Sequence, residues 1–579
     1  MPRYTTERNA QIVIQLLKDN NIKKIVASPG TTNACLVASL QSDSHFEIYS
    51  APEERVGAYM ACGLADESGE PVVLSCTGAT ASRNYMPALT EAYYRKLPIL
   101  AITSSRRSAF IGHNMDQVTD RTAIPNDIAN LSVQLPVVHD EISEWQCIIN
   151  ANKAILELKH HGGGPVHINL ETMYSTEYED VIAPVRRIER FTQNDNLPKL
   201  GNQKVVIMVG NHKKWTQKLV DAVDKFCATY DSVVLCDHTS KYYGKYRVFA
   251  SLLSSQSHWK SSFQNVDIMI HIGDVSTSDF QVNAQYVWRV NPDGNIRDTF
   301  RKVQYVFEME EELFFEHYSN NNENKSGFLE CCKSEAERLL KEIPELPFSN
   351  IWLASILANK LPKDSVLHLG IRNSLRSWNL FDTNNSVCGY SNTGGFGIDG
   401  SISTVVGAAL AHPDKMYYCV LGDLAFFYDI SVFGNRHFPG NIRILLVNNS
   451  IGFEMKGNFT LGKAIASKMD VDESKFIAAG GHYQHKINGA VKHFVEDFGC
   501  KYYCAENKEQ FIEYMEDFLS ESKDKSIVFE AFVTPENEDE AFALMCNLVG
   551  DNTKGVKSAF KNLLGQSAYD SLKKAIKGK

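Results

Sequence analysis

Short apolar runs recur along the chain, each closed by a turn rich in Gly, Ser, Pro or Asn and followed by apolar residues at helical spacing. Residues 7–18 predict an amphipathic helix and 24–28 a strand, and further runs at 99–102 and 166–170 continue the series. A polar segment over 187–202 reads as a linker. Beyond it, 204–209, 232–235, 266–272 and 285–290 predict strands. A charged, Asn-rich stretch at 318–326 and a helix through Leu340 lead to Pro347, after which 416–421 and 442–447 predict two more strands. Strands alternating with helices imply parallel sheets, since each parallel connection needs a crossover, usually helical. The predicted fold class is α/β, with doubly wound domains over 1–186, 187–345 and 346–545. A tail is placed over 546–579; its 552–579 stretch is basic and helical in pattern, and Phe560, Leu563, Leu564 and Leu572 are expected to dock on their own chain, with a partner contact as the alternative.

At 579 residues the chain exceeds what one core can serve. A formal charge of −10 and a pI near 6.0 give no footprint for nucleic acid or an anionic membrane as partner. No apolar run is long enough to span a bilayer and no secretory leader is recognisable, so a cytoplasmic location is expected. The 13 cysteines are scattered without paired CxxC spacing, which points to reduced thiols, and Cys331-Cys332 reads as helix packing. The middle region has no GxGxxG fingerprint, so no FAD or other nucleotide is expected there.

The candidate chemistry begins at Gly422-Asp423-Leu424-Ala425, where an apolar strand gives way to a helix. Strand ends of this kind are where open α/β sheets bind ligands. Backbone N–H groups at the helix start suit phosphate oxygens, and the Asp423 carboxylate suits a hard cation such as Mg²⁺, with Ca²⁺ or Mn²⁺ as substitutes. The second strand ends in Asn448-Asn449-Ser450-Ile451-Gly452-Phe453. The Asn449 amide oxygen and the Ile451 carbonyl would complete the metal's oxygen ligands. Taken alone, a Gly-Asp before a helix is a common strand-to-helix turn.

The pair of segments resembles the diphosphate motif of thiamine diphosphate (ThDP) enzymes, and the string GDLAFFYD is similar to the form found in the MenD family. A second half lies near the N-terminus. Residues 51–65 resemble the helix that carries the activating glutamate of ThDP enzymes, which places that role on Glu54, with Glu53-Glu54-Arg55 similar to the family's Asp-Glu-Arg. The loops at Pro29-Gly30, at Thr77 to Asn84, near Ser374 and at Gly395-Phe396-Gly397-Ile398 also match and would contact the cofactor. The resemblance implies the pyrimidine, middle and diphosphate domains of ThDP enzymes, with ThDP and Mg²⁺ as cofactors and a 2-oxo acid as donor substrate. It further implies a homodimer as the smallest active unit, with a homotetramer as the larger alternative. Glu54 would hydrogen-bond the pyrimidine nitrogen, and Ile398 would be the apolar wedge that bends the cofactor. After decarboxylation the remaining unit would be protonated to an aldehyde or added to an acceptor.

The chain departs from the MenD pattern at two positions. Thr32 stands in Ser28-Pro29-Gly30-Thr31-Thr32-Asn33 where the family carries Arg, and Thr393 replaces a second Arg. Thr lacks the bidentate fork that Arg offers a carboxylate, and each lost contact is worth roughly 1.5–3 kcal/mol. An acceptor other than isochorismate is therefore expected. Its candidate contacts are Asn33, Arg106, His113, Asn114, Gln117, Arg372, Arg376, Glu454 and His482, together with Thr32 and Thr393 themselves. The alternatives are the MenD reaction proper, joining a four-carbon unit from 2-oxoglutarate to isochorismate, and a cofactor-binding protein that acts by interaction without catalysis.

Overall fold

Central strands whose side chains are buried on both faces organise the chain into parallel sheets wrapped by helices. The computed structural model describes residues 1–276, 280–320, 327–458, 460–480 and 489–549. His482, His485 and the tail from 550 onward lie outside the described residues. The chain forms two compact units, Met1–Leu197 with Asp293–Glu308, and Pro198–Pro292 with Met309–Lys579.

The first unit holds a six-stranded parallel sheet in the spatial order Glu47–Ser50, Lys24–Ala27, Val72–Thr77, Ile99–Ser105, Val166–Glu171, Leu131–Leu135. The helix Arg8–Asp19 covers one face through Ile12, Val13, Leu16 and Leu17, all fully buried. On the other face the helix Glu54–Ser68 packs through Ala58, Ala61 and Ala65, small residues that let its backbone approach the sheet. The side chain of Glu53 caps that helix by accepting from the N–H groups of Arg55 and Val56, so Glu54 becomes its first helical residue.

The second unit holds two parallel sheets. One orders its strands Arg247–Phe249, Val233–Cys236, Val205–Val209, Asn265–Ile272, Asn283–Val290. The other has six strands in the order Cys388–Tyr390, Val366–Leu369, Tyr417–Gly422, Ile442–Asn448, Ile527–Phe532, Lys501–Ala505. Numbered within each sheet, this order is second, first, third, fourth, sixth, fifth, the same as in the first unit's sheet. The order reverses between the first and third strands. Connections there leave to opposite faces and open a crevice at the carboxyl ends.

Two local expectations need correction. Residues 187–202, read as a linker, contain the strand Glu189–Thr192, which pairs in parallel with Val303–Glu308 and stacks Phe191 on Phe307. A strand this short has no periodic signal and is fixed only by its distant partner. Cys331 and Cys332 lie on the helix Phe328–Lys341, but only Cys332 is buried while Cys331 is exposed. All 13 thiols are free. Among the described residues no helix is long and apolar enough to cross a membrane.

Candidate functional site

In the first unit the switch-point edge is built around a glycine that cannot be replaced without displacing its neighbour. A Cβ on Gly30 would lie 2.0 Å from Cγ2 of Thr77, the last residue of the adjacent strand. Pro29, beside it, is exposed. Glu54 is half-buried at the start of its helix, where its Oε2 accepts from Nδ2 of Asn84 at 3.3 Å. Glu54, Asn84, Gly30 and Thr77 thus cluster at or next to the carboxyl ends of the first and third strands.

The same edge is rich in buried polar atoms. Asn33 donates to the Ser28 carbonyl and to Ser75 Oγ, both at 3.1 Å, while its Oδ1 has no partner among the described residues. Thr32 is buried and its hydroxyl donates to the Ser104 carbonyl at 2.7 Å. This hydroxyl serves the fold and does not face an open site. Arg106, a candidate for substrate contact, is instead held by both oxygens of Asp116 at 2.8 and 3.1 Å and by the Tyr174 hydroxyl at 3.0 Å. His113, Asn114 and Gln117 are exposed on the following loop, with Asn114 and Gln117 in the left-handed region at φ 55°.

Sequence reasoning passed over Arg121, whose sequence neighbours carry no motif. It is 3% exposed and donates to Asn169 Oδ1, and its Nε and Nη1 have no partner among the described residues. Burial pushes its guanidinium down to about 10. A Cβ on Gly78 would lie 2.0 Å from Nη1 of this arginine. The turn after Val72–Thr77 therefore rests directly on a buried cation.

In the second unit Gly422 ends its strand and precedes the helix Asp423–Tyr428, and a Cβ built on it would meet nothing within 4 Å. Asp423 is 2% exposed at the first position of that helix. Leu424 is half-buried and Ala425 buried. On the neighbouring strand the two asparagines separate by environment. Asn448 donates to Glu530 Oε1 at 2.7 Å, and its Oδ1 accepts from the Ser450 N–H at 3.0 Å, so its amide belongs to the sheet. Glu530 also accepts from the Tyr502 hydroxyl at 2.7 Å, and burial raises its carboxyl above the usual range. Asn449 is less buried, and among the described residues its Oδ1 accepts from the Ile451 N–H alone, at 3.2 Å, which leaves lone-pair capacity for a cation. Ser450 takes a left-handed turn at φ 61°, and Ile451 bridges Gly480 in antiparallel fashion. The Gly452 N–H donates to the Ala479 carbonyl at 2.6 Å, and Phe453 begins a one-turn helix.

The remaining loops of this unit hold the other candidates. Gly394 and Gly395 are exposed, and a Cβ on either would meet open space. Phe396 sits at φ 55° with the Arg372 guanidinium 5.7 Å from its ring centroid. Ile398 is half-buried against the sheet's core. Thr393 is buried and its hydroxyl accepts from Asn211 Nδ2 at 2.9 Å, so it too is taken up by the fold. Arg376 and Glu454 meet each other at 2.6 Å. Ser374 is buried and accepts from Asn350 Nδ2 at 3.4 Å.

Glu538 supports this same corner and was not foreseen. It accepts from the Asn350 N–H at 2.7 Å and from Asn373 Nδ2 at 3.0 Å, yet full burial pushes its carboxyl up to about 7. Neighbouring Asp539 is pushed up to about 6, again by burial, while accepting from the Asn458 N–H. No polar spacing in the sequence marks either residue. Their state follows from packing of the helix Pro535–Met545.

Residues 8–124 match the family described as the N-terminal TPP binding domain of thiamine pyrophosphate enzymes. Along its length the chain is similar to 2-succinyl-5-enolpyruvyl-6-hydroxy-3-cyclohexene-1-carboxylate synthases. The protein of Bacteroides thetaiotaomicron is 30% identical over 563 residues, covering 91% of this chain and 96% of that one. That of Bacteroides fragilis is 28% identical over 568 residues, covering 93% and 98%. That of Phocaeicola vulgatus is 29% identical over 571 residues, covering 92% and 97%.

Two expectations follow from this geometry. Gly30→Ala should destabilise the first unit by about 1–3 kcal/mol in denaturant unfolding, because the branched Thr77 side chain has no free rotation to yield; unchanged stability would show that the strand end relaxes. Glu538 binds its proton more tightly folded than unfolded, so its contribution is complete below the ordinary value of 4.5 and is lost as pH rises through about 7. The loss is on the order of 2–4 kcal/mol. Glu538→Gln should therefore flatten the fall in melting temperature between pH 5 and pH 8, and a variant with the wild-type slope would contradict the assignment.

Proposed function

The chain belongs to the 2-succinyl-5-enolpyruvyl-6-hydroxy-3-cyclohexene-1-carboxylate synthase family, and from that premise we propose that it binds thiamine diphosphate with Mg²⁺ to decarboxylate a 2-oxo acid and join the remaining unit to an acceptor. The observation that carries this reading is the placement of Asp423 and Asn449 just beyond the carboxyl ends of two adjacent parallel strands, Tyr417–Gly422 and Ile442–Asn448. The donor set is all oxygen, which fits a small hard cation, and the open space at Gly422, Gly394 and Gly395 fits a group that must approach backbone closely. Asp423, the Asn449 amide oxygen and the Ile451 carbonyl would hold the metal. N–H groups following Gly422 would meet the phosphates.

When bound, ThDP supplies the electron sink for loss of carbon dioxide. Glu54 would hold a proton against the ring nitrogen of the pyrimidine, oriented by its contact with Asn84. Ile398, packed on the core behind it, would press the bound cofactor from one side. Val56, Tyr59 and Met60 leave an exposed apolar stripe on the helix that begins with Glu54, at 53%, 48% and 40% exposure. A stripe of this kind favours cover by a second copy of the chain.

For the reacting partners, the activity for which these relatives are named favours the synthase reaction over the expectation of a different acceptor. We take 2-oxoglutarate with isochorismate as the first reading. A second reading, a different acceptor, is supported by Thr32 and Thr393, whose hydroxyls are both committed inside the fold. Neither side chain is positioned to replace a carboxylate-binding arginine.

Carbon dioxide release measured from 2-oxoglutarate and from pyruvate, with ThDP and Mg²⁺ and with or without isochorismate, separates the readings. Release from 2-oxoglutarate coupled to isochorismate consumption supports the synthase; release that isochorismate leaves unchanged supports the second reading. No release from any 2-oxo acid would overturn both. Glu54→Gln should retain ThDP binding while turnover falls by about 10²–10⁴-fold. Asp423→Ala should lose Mg²⁺-dependent ThDP binding, and retention of that binding would remove Asp423 from the metal site.

A further inference from the structure

The second unit contains a cavity of about 780 Å³ that none of the proposed chemistry uses. It borders Val366, His368, Tyr390 and Tyr417 on three strands of the sheet whose carboxyl ends present Asp423 and Asn449, and neither of those two residues lines it. Its volume is within the range of small-molecule sites.

The lining is cationic in a chain that carries a net charge of −10. Lys214, Lys241, Lys245 and Lys415 face the cavity, and none has a carboxylate at ion-pair distance among the described residues. The carboxylate there, Asp224, accepts from the Tyr242 hydroxyl and from the Lys245 N–H. Lys241 is 9% exposed; its ammonium donates to the His212 carbonyl at 2.7 Å and lies 4.0 Å from the Tyr390 ring centroid. Burial lowers its affinity for a proton, and the nearby Lys214 charge lowers it further.

A second, independent feature is His368. It is 4% exposed, lines the cavity, and its Nε2 has no hydrogen-bond partner among the described residues. Burial together with Lys241 pushes it down to about 4, so the ring is neutral and Nε2 can donate or accept one hydrogen bond. An unpartnered buried polar atom is costly unless something occupies the space it faces. The aromatic groups have their polar tips tied back: Trp215 Nε1 donates to the Ser240 carbonyl at 2.9 Å, and the Tyr243 hydroxyl to the Val387 carbonyl. Their rings remain as apolar walls beside Val405 and Ala408.

We propose that this cavity binds a small organic phosphate, with the phosphate on the lysine ammoniums and the body of the molecule between the aromatic walls and Val405 and Ala408. Lysine ammoniums bind phosphate as point charges, and a cluster of them attracts a phosphate monoester, with a charge of about −2 at neutral pH, more strongly than a singly charged carboxylate.

The test is titration calorimetry on the full chain saturated with ThDP and Mg²⁺, so that the carboxyl-end site is already filled. The probes are ADP, AMP and phenyl phosphate, with adenosine as the uncharged control. At least one phosphate probe should bind, adenosine should not, and binding should weaken as salt is raised. Lys214→Glu, at an exposed position, should weaken the bound probe at least about tenfold with melting temperature unchanged. His368→Phe is the second variant and should do the same by removing the unpartnered nitrogen and filling the space. Absence of binding by all three phosphates overturns the proposal. So does binding that both variants leave intact, or binding of adenosine equal to that of ADP.

Discussion

Parallel strand pairing is the constraint on which the rest of this structure depends. A parallel connection must cross over the sheet, and the crossing helices cover both faces. The sheets expose chemistry at strand ends, above all at the carboxyl ends where the strand order reverses. Both six-stranded sheets use the same order, so each presents such a crevice. One carries Gly30, Thr77 and Glu54, and the other carries Gly422, Asp423 and Asn449. The shared topology places both sets of candidate residues at equivalent strand ends of their own sheets.

Within those edges, burial sorts residues that look alike. Asn448 and Asn449 are adjacent and chemically identical, yet one amide is held by Glu530 inside the sheet and the other sits where the strand ends. Thr32 and Thr393, at the two positions where the family pattern has arginine, are both drawn into the fold by hydrogen bonds. Arg121 shows the opposite case, a cation kept inside the first unit whose Nε and Nη1 have no partner among the described residues. Buried polar groups left partly satisfied are the places where a fold departs from pure packing, and function is the usual reason.

Much of the architecture was legible along the chain. The strands predicted at 24–28, 204–209, 266–272 and 442–447 correspond to observed strands within a residue or two, because long apolar runs closed by turn residues leave little ambiguity. The short strand Glu189–Thr192 was read as linker because its pairing depends on Val303–Glu308, more than a hundred residues away. The candidate metal and phosphate motifs stood out along the chain because the residue types such chemistry needs lie close together in sequence. Arg121, Glu538 and His368 were not visible, since nothing about an isolated Arg, Glu or His announces burial.

The sequence by itself determined the class of fold, the order of its elements and the local motifs at their ends, because periodicity and turn chemistry act between near neighbours. Tertiary structure alone decided which polar groups are spent on the fold and which remain open. It holds Arg106 on Tyr174, pairs Arg376 with Glu454, and leaves His368 facing a lysine-lined cavity with no hydrogen-bond partner for Nε2 among the described residues. Each of those outcomes depends on desolvation and on partners distant along the chain, and neither is encoded in any short stretch of residues.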